Sequence, residues 1–281
     1  MNLSKKIFSY IKITRPLNVL ITFVVVVAAI LISAQHQIEL VKIILVSLSA
    51  SLTAAAGNII NDIYDIETDK VSHPNRVLAQ GLLSKTEAVF LYNLFNTFAI
   101  IIAACISVVL ILIVLLSIVL LFVYSYYLKK LPLVGNIVIA FLTGLAFIYG
   151  GFAVDNPYGA IVPSVFAFLI NLIREVVKDI QDIEGDLKLN FKTFPIVYGI
   201  EKSKRLIFFF TILLIGFTFY PFVTRLYSIE YFLIVMIFVN PLLACSLKIL
   251  FDKKKENEYN TVSNILKINM ILGLVAIWFG R

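Results

Sequence analysis

An all-α membrane bundle of nine transmembrane helices is the fold class this sequence predicts. Three observations predict it: an apolar composition, the spacing of charge-free runs, and the one-sided distribution of basic residues. Apolar residues fill 60% of 281 positions and charged residues only 15%, well outside the range of a soluble domain. A helix that crosses a bilayer needs about 20 predominantly apolar residues, and such runs recur along the whole chain.

The first run, 16–38, follows Lys5, Lys6 and Lys12, a flank it shares with secretion signals. It is longer than the apolar core of a signal peptide, about 7–15 residues, and reads as the first retained helix. The second span is 43–64. From Ala88 to Leu128 there are 41 residues without a charge. At about 1.5 Å rise per residue they suffice to cross twice, so spans 86–106 and 107–128 should meet in a tight hairpin near Ser107. Spans 134–154, 157–176, 205–224, 229–249 and 260–280 complete the nine. Cys105 and Cys245 fall in apolar spans without ligand spacing and read as buried small hydrophobes. His36 and His73 are too few for a histidine-based metal site.

A net charge of +7 could signal nucleic acid, but its placement argues against that. The N-terminal segment and the loops after spans 2, 4, 6 and 8 receive 21 of the 24 Lys and Arg; Lys42, Arg225 and Arg281 are the other 3. Basic loops stay cytoplasmic. The expectation is a multi-pass protein of the cell membrane, N-terminus inside and C-terminus outside.

The acids carry the chemistry. Asp62-Ile63-Tyr64-Asp65-Ile66-Glu67-Thr68-Asp69 and Asp179-Ile180-Gln181-Asp182-Ile183-Glu184-Gly185-Asp186 both read D-I-x-D-I-E-x-D, 117 residues apart. They end spans 2 and 6, and an offset of four spans puts both on one side. The chain thus reads as one domain, 1–281, made of two parallel four-helix repeats (about 16–130 and 134–249) and a ninth helix at about 260–280. On a continuous helix Asn61, Asp62, Asp65 and Asp69 share one face, as do Asp179, Asp182 and Asp186. Glu67 and Glu184 point away. Like charges at this spacing repel, and more strongly at a low-dielectric surface. A single run of this kind is also what a solvated helix end looks like. Two matched runs favour a bound cation, and an all-oxygen donor set suits Mg²⁺.

At these residues the sequence resembles the UbiA superfamily of intramembrane prenyltransferases. Asn61, Asp62, Asp65 and Asp69 match its N-D-x-x-D-x-x-x-D motif. Asp182 and Asp186 match its second D-x-x-x-D, with Asp179 just before. Tyr126 and Lys130 match a Y-x-x-x-K element, with Lys129 an equal candidate for the lysine. Arg15-Pro16-Leu17-Asn18 and His73-Pro74-Asn75-Arg76 with Gly81 are also similar, although Val77 stands where Pro is commoner. The resemblance implies a helix bundle around a cavity open to lipid. It also implies Mg²⁺ between the acidic motifs and an isoprenyl diphosphate, and ionisation to an allylic cation that an acceptor attacks. Asp65, Asp69, Asp182, Asp186, Tyr126 and Lys130 would be catalytic. Arg15, Asn18, Arg76, Lys129, Arg174 and Lys178 would bind substrate. Arg174 and Lys178 read equally well as cytoplasmic anchors, and Tyr126 as either a cation-stabilising ring or a belt residue.

Within the family, Arg174 to Asp186 and Lys129-Lys130-Leu131-Pro132 are most similar to the branch that alkylates geranylgeranylglyceryl phosphate to form an ether lipid. The expected partners are an isoprenyl diphosphate and a lipid-like acceptor. Aromatic acceptors, of quinone or chlorophyll type, are the alternative. A cation-coupled transporter fits less well, because transporter acids sit at mid-membrane. A headgroup transferase would carry a D-G-x-x-A-R element, and none is present. Oligomeric state and prenyl length leave no mark in the sequence.

Overall fold

The computed structural model describes residues 3–252 and 258–281. Lys253, Lys254 and Lys255, which contribute to the charge asymmetry, lie outside the described residues. Among those described, nine helices are long and apolar enough to cross a membrane. They are α2 (Pro16–Ser33), α3 (Leu40–Tyr64), α5 (Lys85–Ala104), α6 (Val108–Tyr126), α7 (Val134–Ala153), α8 (Tyr158–Gln181), α11 (Ile200–Val223), the broken helix α12–α13 (Ile229–Ile234 and Asn240–Phe251) and α14 (Glu258–Gly280). Four shorter helices are α1 (Leu3–Lys12), α4 (Ile66–Ser72), α9 (Ile183–Lys188) and α10 (Phe194–Tyr198). The protein is a multi-pass integral membrane protein.

The hairpin between α5 and α6 falls where the charge-free stretch placed it. Ser107 caps α6, its hydroxyl accepting from Leu110 N, which satisfies one of the orphan amides of a helix start. Other boundaries moved. Span 16–38 stops at Ser33, and span 157–176 continues as helix through Arg174, Glu175, Lys178 and Asp179 to Gln181. Polarity marks where the bilayer ends, not where the helix does. Cys105 and Cys245 are exposed rather than buried. In a bundle immersed in lipid, a small apolar side chain gains nothing by turning inward.

The chain packs as two compact units: residues 1–128 with 145–160, and residues 129–144 with 161–281. In the first, Val26, Ile30, Val46, Ala99, Leu110 and Tyr149 form one core. A second core joins Ile59, Ile60 and Ile63 of α3 to Ile13 and to Val77, Leu78 and Leu83 of the loop after α4. Gly57 lets α3 approach α6, since a Cβ there would press on the Leu121 side chain. In the second unit, Val176 and Val177 of α8, Leu243 and Leu250 of α13 and Leu266 of α14 are fully buried. A wide turn at Val235–Val239 separates α12 from α13 just before Pro241. Proline removes a hydrogen bond to the preceding turn and crowds its carbonyl. Asn269 Nδ2 donates to the Val239 carbonyl at 3.1 Å, so the interruption leaves that group satisfied.

Candidate active site

The first acidic motif is built by alternation along α3. Ile59, Ile60 and Ile63 face the core, which turns Asn58, Asn61, Asp62 and Asp65 toward the other side of the helix. Asn58 Nδ2 donates to the Thr14 carbonyl at 2.8 Å, tying this end of α3 to the entry into α2. The single continuous helical face expected from spacing is corrected here. α3 ends at Tyr64, and Asp65 is a joint with φ −99° and ψ 5° before α4. A ψ near zero, against about −42° in a helix, swings the next peptide away from the axis. The i to i−4 bonds still run through it: Asp65 N reaches Asn61 O at 3.0 Å and Asp69 N reaches Asp65 O at 2.7 Å. The second motif repeats this backbone. α8 ends at Gln181, Asp182 has φ −96° and ψ 7°, and α9 follows. Asp182 N bonds Lys178 O and Asp186 N bonds Asp182 O, both at 2.9 Å.

The partners differ. Asp62 is buried and accepts from Arg15 Nη2 at 2.5 Å. Asp69 is buried and takes both oxygens to Arg76 Nη1 at 2.7 Å, while Arg76 stands 3.7 Å from Asp62. Asp65 accepts from Asn61 Nδ2 at 3.0 Å. Burial pushes the Asp69 carboxyl up from its usual range, and the Arg76 hydrogen bond opposes it. The loop that carries Arg76 is fixed by Val77 and Leu78, both buried, and by Gly81 at φ 68°, a conformation that favours glycine. Val77, in place of the commoner proline, serves as a core anchor. Beside these groups lies a cavity of 380 Å³ lined by Lys12, Arg15, Asp62, His73, Asn75 and Arg76 among others. Arg15 and Arg76 are paired there with Asp62 and Asp69, and Lys12 leaves the wall with a positive excess.

In the second motif Asp179 accepts from Asn136 Nδ2 of α7 at 2.9 Å. Asp182 is exposed and Asp186 half-buried. Burial, reinforced by the charge of Asp182, pushes the Asp186 carboxyl up to about 6. Arg174 and Lys178 share one carboxylate: Arg174 Nη1 lies 3.0 Å and Lys178 Nζ 3.3 Å from Glu175. Arg174 Nε is buried without a hydrogen-bond partner among the described residues. Lys130 ends a tight turn at Leu128–Lys130 and lies 6.0 Å over the Phe191 ring. Its carbonyl accepts from Lys192 N at 3.1 Å, and Lys129 is half-buried.

Tyr126 is exposed and packs edge-on against Tyr64, ring centroids 5.5 Å apart, so α6 brings it beside the first motif. Asn18, in the first turn of α2, is exposed, and the side chain from that turn that reaches Asp62 belongs to Arg15. Glu67 pairs outward with Lys70, and Glu184 is exposed. Sequence reasoning missed Tyr64, Glu175 and Asn136. Only Tyr64, an aromatic inside the motif itself, left a usable signal.

The donor chemistry fits Mg²⁺. No three of the described Asp, Glu, His and Cys side chains enclose an ion by themselves, which excludes a self-sufficient protein cage. Mg²⁺ binds through one or two carboxylates and completes its shell with water and substrate phosphate, and each motif offers such a partial set.

The fold is that of a polytopic helical membrane protein with acidic residues at two matched helix joints. A sequence profile of the UbiA prenyltransferase family matches residues 20–271. The chain belongs to the UbiA prenyltransferase family. It is 32% identical over 271 residues to a digeranylgeranylglyceryl phosphate synthase of Methanosphaera stadtmanae, covering 96% of this chain and 98% of that one. To the synthase of the same name from Thermococcus kodakarensis it is 33% identical over 268 residues, covering 95% and 96%. A solved structure from work on digeranylgeranylglyceryl phosphate synthase in membranes superimposes with a TM-score of 0.83 at 30% identity, covering 98% of each chain. A UbiA homolog from Archaeoglobus fulgidus bound to GPP and Mg²⁺ shares the fold, with a TM-score of 0.71 at 18% identity and coverage of 96% and 99%.

Proposed function

We propose that this chain transfers a geranylgeranyl group from its diphosphate to the free hydroxyl of geranylgeranylglyceryl phosphate, forming an ether lipid, with Mg²⁺ as cofactor. The observation that carries the chemistry is the matched pair of acidic joints at Asp65 and Asp182. The acceptor rests on similarity to the two synthases, which spans nearly the full length of each.

Asn61, Asp62, Asp65 and Asp69 hold metal at the first motif, and Asp179, Asp182 and Asp186 at the second. Mg²⁺ held by these residues would supply the charge neutralisation that lets the diphosphate leave with the electron pair of its bond to C1. Arg15, Arg76 and one of Lys129 and Lys130 bind diphosphate oxygens directly, with Asn18 as a further substrate contact. The Tyr126 ring, steadied by Tyr64, faces the allylic cation. The acceptor oxygen then bonds C1 and releases its proton. Arg174 and Lys178 take the acceptor's phosphate. They share a single carboxylate, Glu175, and so carry net positive charge, and Arg174 Nε has a donor to spare. The basic asymmetry supports a cytoplasmic position in the cell membrane for both motifs and the N-terminus. Reporter fusions after residues 80, 131 and 190 should report cytoplasm, and one at 281 the outside.

The test is an assay of purified protein with radiolabelled geranylgeranyl diphosphate. Geranylgeranylglyceryl phosphate, its dephosphorylated alcohol and 4-hydroxybenzoate are compared as acceptors, with Mg²⁺ and with EDTA. Product from the phosphate alone, lost in EDTA, is expected. Preference for the aromatic acid would overturn the ether-lipid assignment.

A further inference from the structure

The entries into α2 and α7 are alike. Each helix follows a residue in the left-handed region, Arg15 at φ 54° and Leu133 at φ 64°. A side chain in that conformation costs about 1–2 kcal/mol and persists only where its surroundings fix it. From α2's entry Arg15 reaches Asp62, the first acid of its motif. From α7's entry the reaching group is Asn136, third residue of the helix and 8% exposed. Its Nδ2 meets Asp179, the first acid of the other motif, at 2.9 Å. A carboxylate only accepts, so the amide must present its NH₂ there. Lys178, the cation next to Asp179 in sequence, is engaged by Glu175. Asn136 is thus a donor that orients Asp179 without neutralising it.

We propose that Asn136 is a positioning residue for the divalent-cation site of the second motif: its amide holds Asp179 in the orientation that lets the carboxylate's charge serve the metal. This rests on the metal reading given above. An arginine in its place would orient the acid equally well but cancel its charge. Asn136 does the first without the second. Loss of such an outer partner lowers metal affinity by about 10–100-fold in metal sites generally.

The test is Mn²⁺ binding followed by electron paramagnetic resonance on purified protein in nanodiscs, together with the Mg²⁺ dependence of turnover. Asn136→Leu removes the donor at similar volume, and Asn136→Gln keeps an amide on a longer stem. In Asn136→Leu, Mn²⁺ Kd should rise about tenfold or more, and excess Mg²⁺ should restore kcat with acceptor KM unchanged. Asn136→Gln should recover part of the affinity. Wild-type Mn²⁺ affinity in Asn136→Leu, with only thermal stability reduced, would reduce the residue to a structural clamp and overturn the proposal. If Asn136→Leu does not fold, Asn136→Ser is read by the same criteria. Absence of Mn²⁺ binding in the wild type would instead defeat the metal reading itself.

Discussion

At the end of α3, Asp62 and Asp69 are each held by an arginine; at the end of α8, Asp179 is held by a neutral amide, and no cation among the described residues pairs with Asp182 or Asp186. Yet the joints have the same backbone, within a few degrees at Asp65 and Asp182. The joint geometry therefore does not depend on the ion pairs. It follows from the shared D-I-x-D-I-E-x-D pattern, while Arg15, Arg76 and Asn136 lie outside it and set the charge. The first motif is largely neutralised by its own chain. The second keeps negative charge, which adds to burial in raising the Asp186 carboxyl and favours a cation from solution.

The largest expected effect is on turnover. Asp65→Ala or Asp182→Ala should lower kcat roughly a thousandfold, the scale of several kcal/mol for metal stabilisation of a leaving group, with helical content unchanged. Full activity in either would return that motif to a solvated helix end. Arg76→Ala comes next and separates the motifs by stability. It leaves Asp69 buried without its cation, at a cost of about 3 kcal/mol, read as a lower Tm in metal-free nanodiscs. Asp182→Ala, which removes an exposed charge without a cationic partner, should leave that Tm nearly unchanged. An equal loss in both would erase the comparison.

Two smaller effects sharpen it. Arg174→Ala should raise acceptor KM about tenfold, near the value of one hydrogen bond to a charged group. The prenyl-diphosphate KM should stay constant, the signature of lost uniform binding. A shift in the diphosphate KM instead would move Arg174 to the donor subsite. The smallest effect is on pH dependence. With Asp186 raised from 3.8 to about 6, the folded metal-free protein holds more protons than the unfolded chain between those values. Stability then falls as pH rises through that window. Saturating Mg²⁺, which binds the ionised folded form, should flatten the slope. Thermal unfolding between pH 4 and 7, in EDTA and in Mg²⁺, reads both.

Much of this was legible in the sequence because hydropathy and spacing report local constraints. The hairpin at Ser107 follows from a charge-free length, and the acidic motifs stand out because they recur. The joints at Asp65 and Asp182 were not legible, since acids spaced for one helical face fit a straight helix as well as a bent one. Glu175 was visible as a residue but not as the group between Arg174 and Lys178. Asn136 was hidden for a different reason. It is 43 residues from Asp179, and a lone asparagine in an apolar run has no pattern of its own. Arg15 and Arg76 were found through resemblance, yet their pairing with Asp62 and Asp69 needed the fold.

Titrating Mn²⁺ into wild type, Asp65→Ala and Asp182→Ala in nanodiscs without substrate tests the charge asymmetry most directly. The second motif should hold the tighter ion, so Asp182→Ala should lose the tight phase and Asp65→Ala keep it. A tight phase that survives Asp182→Ala and vanishes in Asp65→Ala would contradict the account.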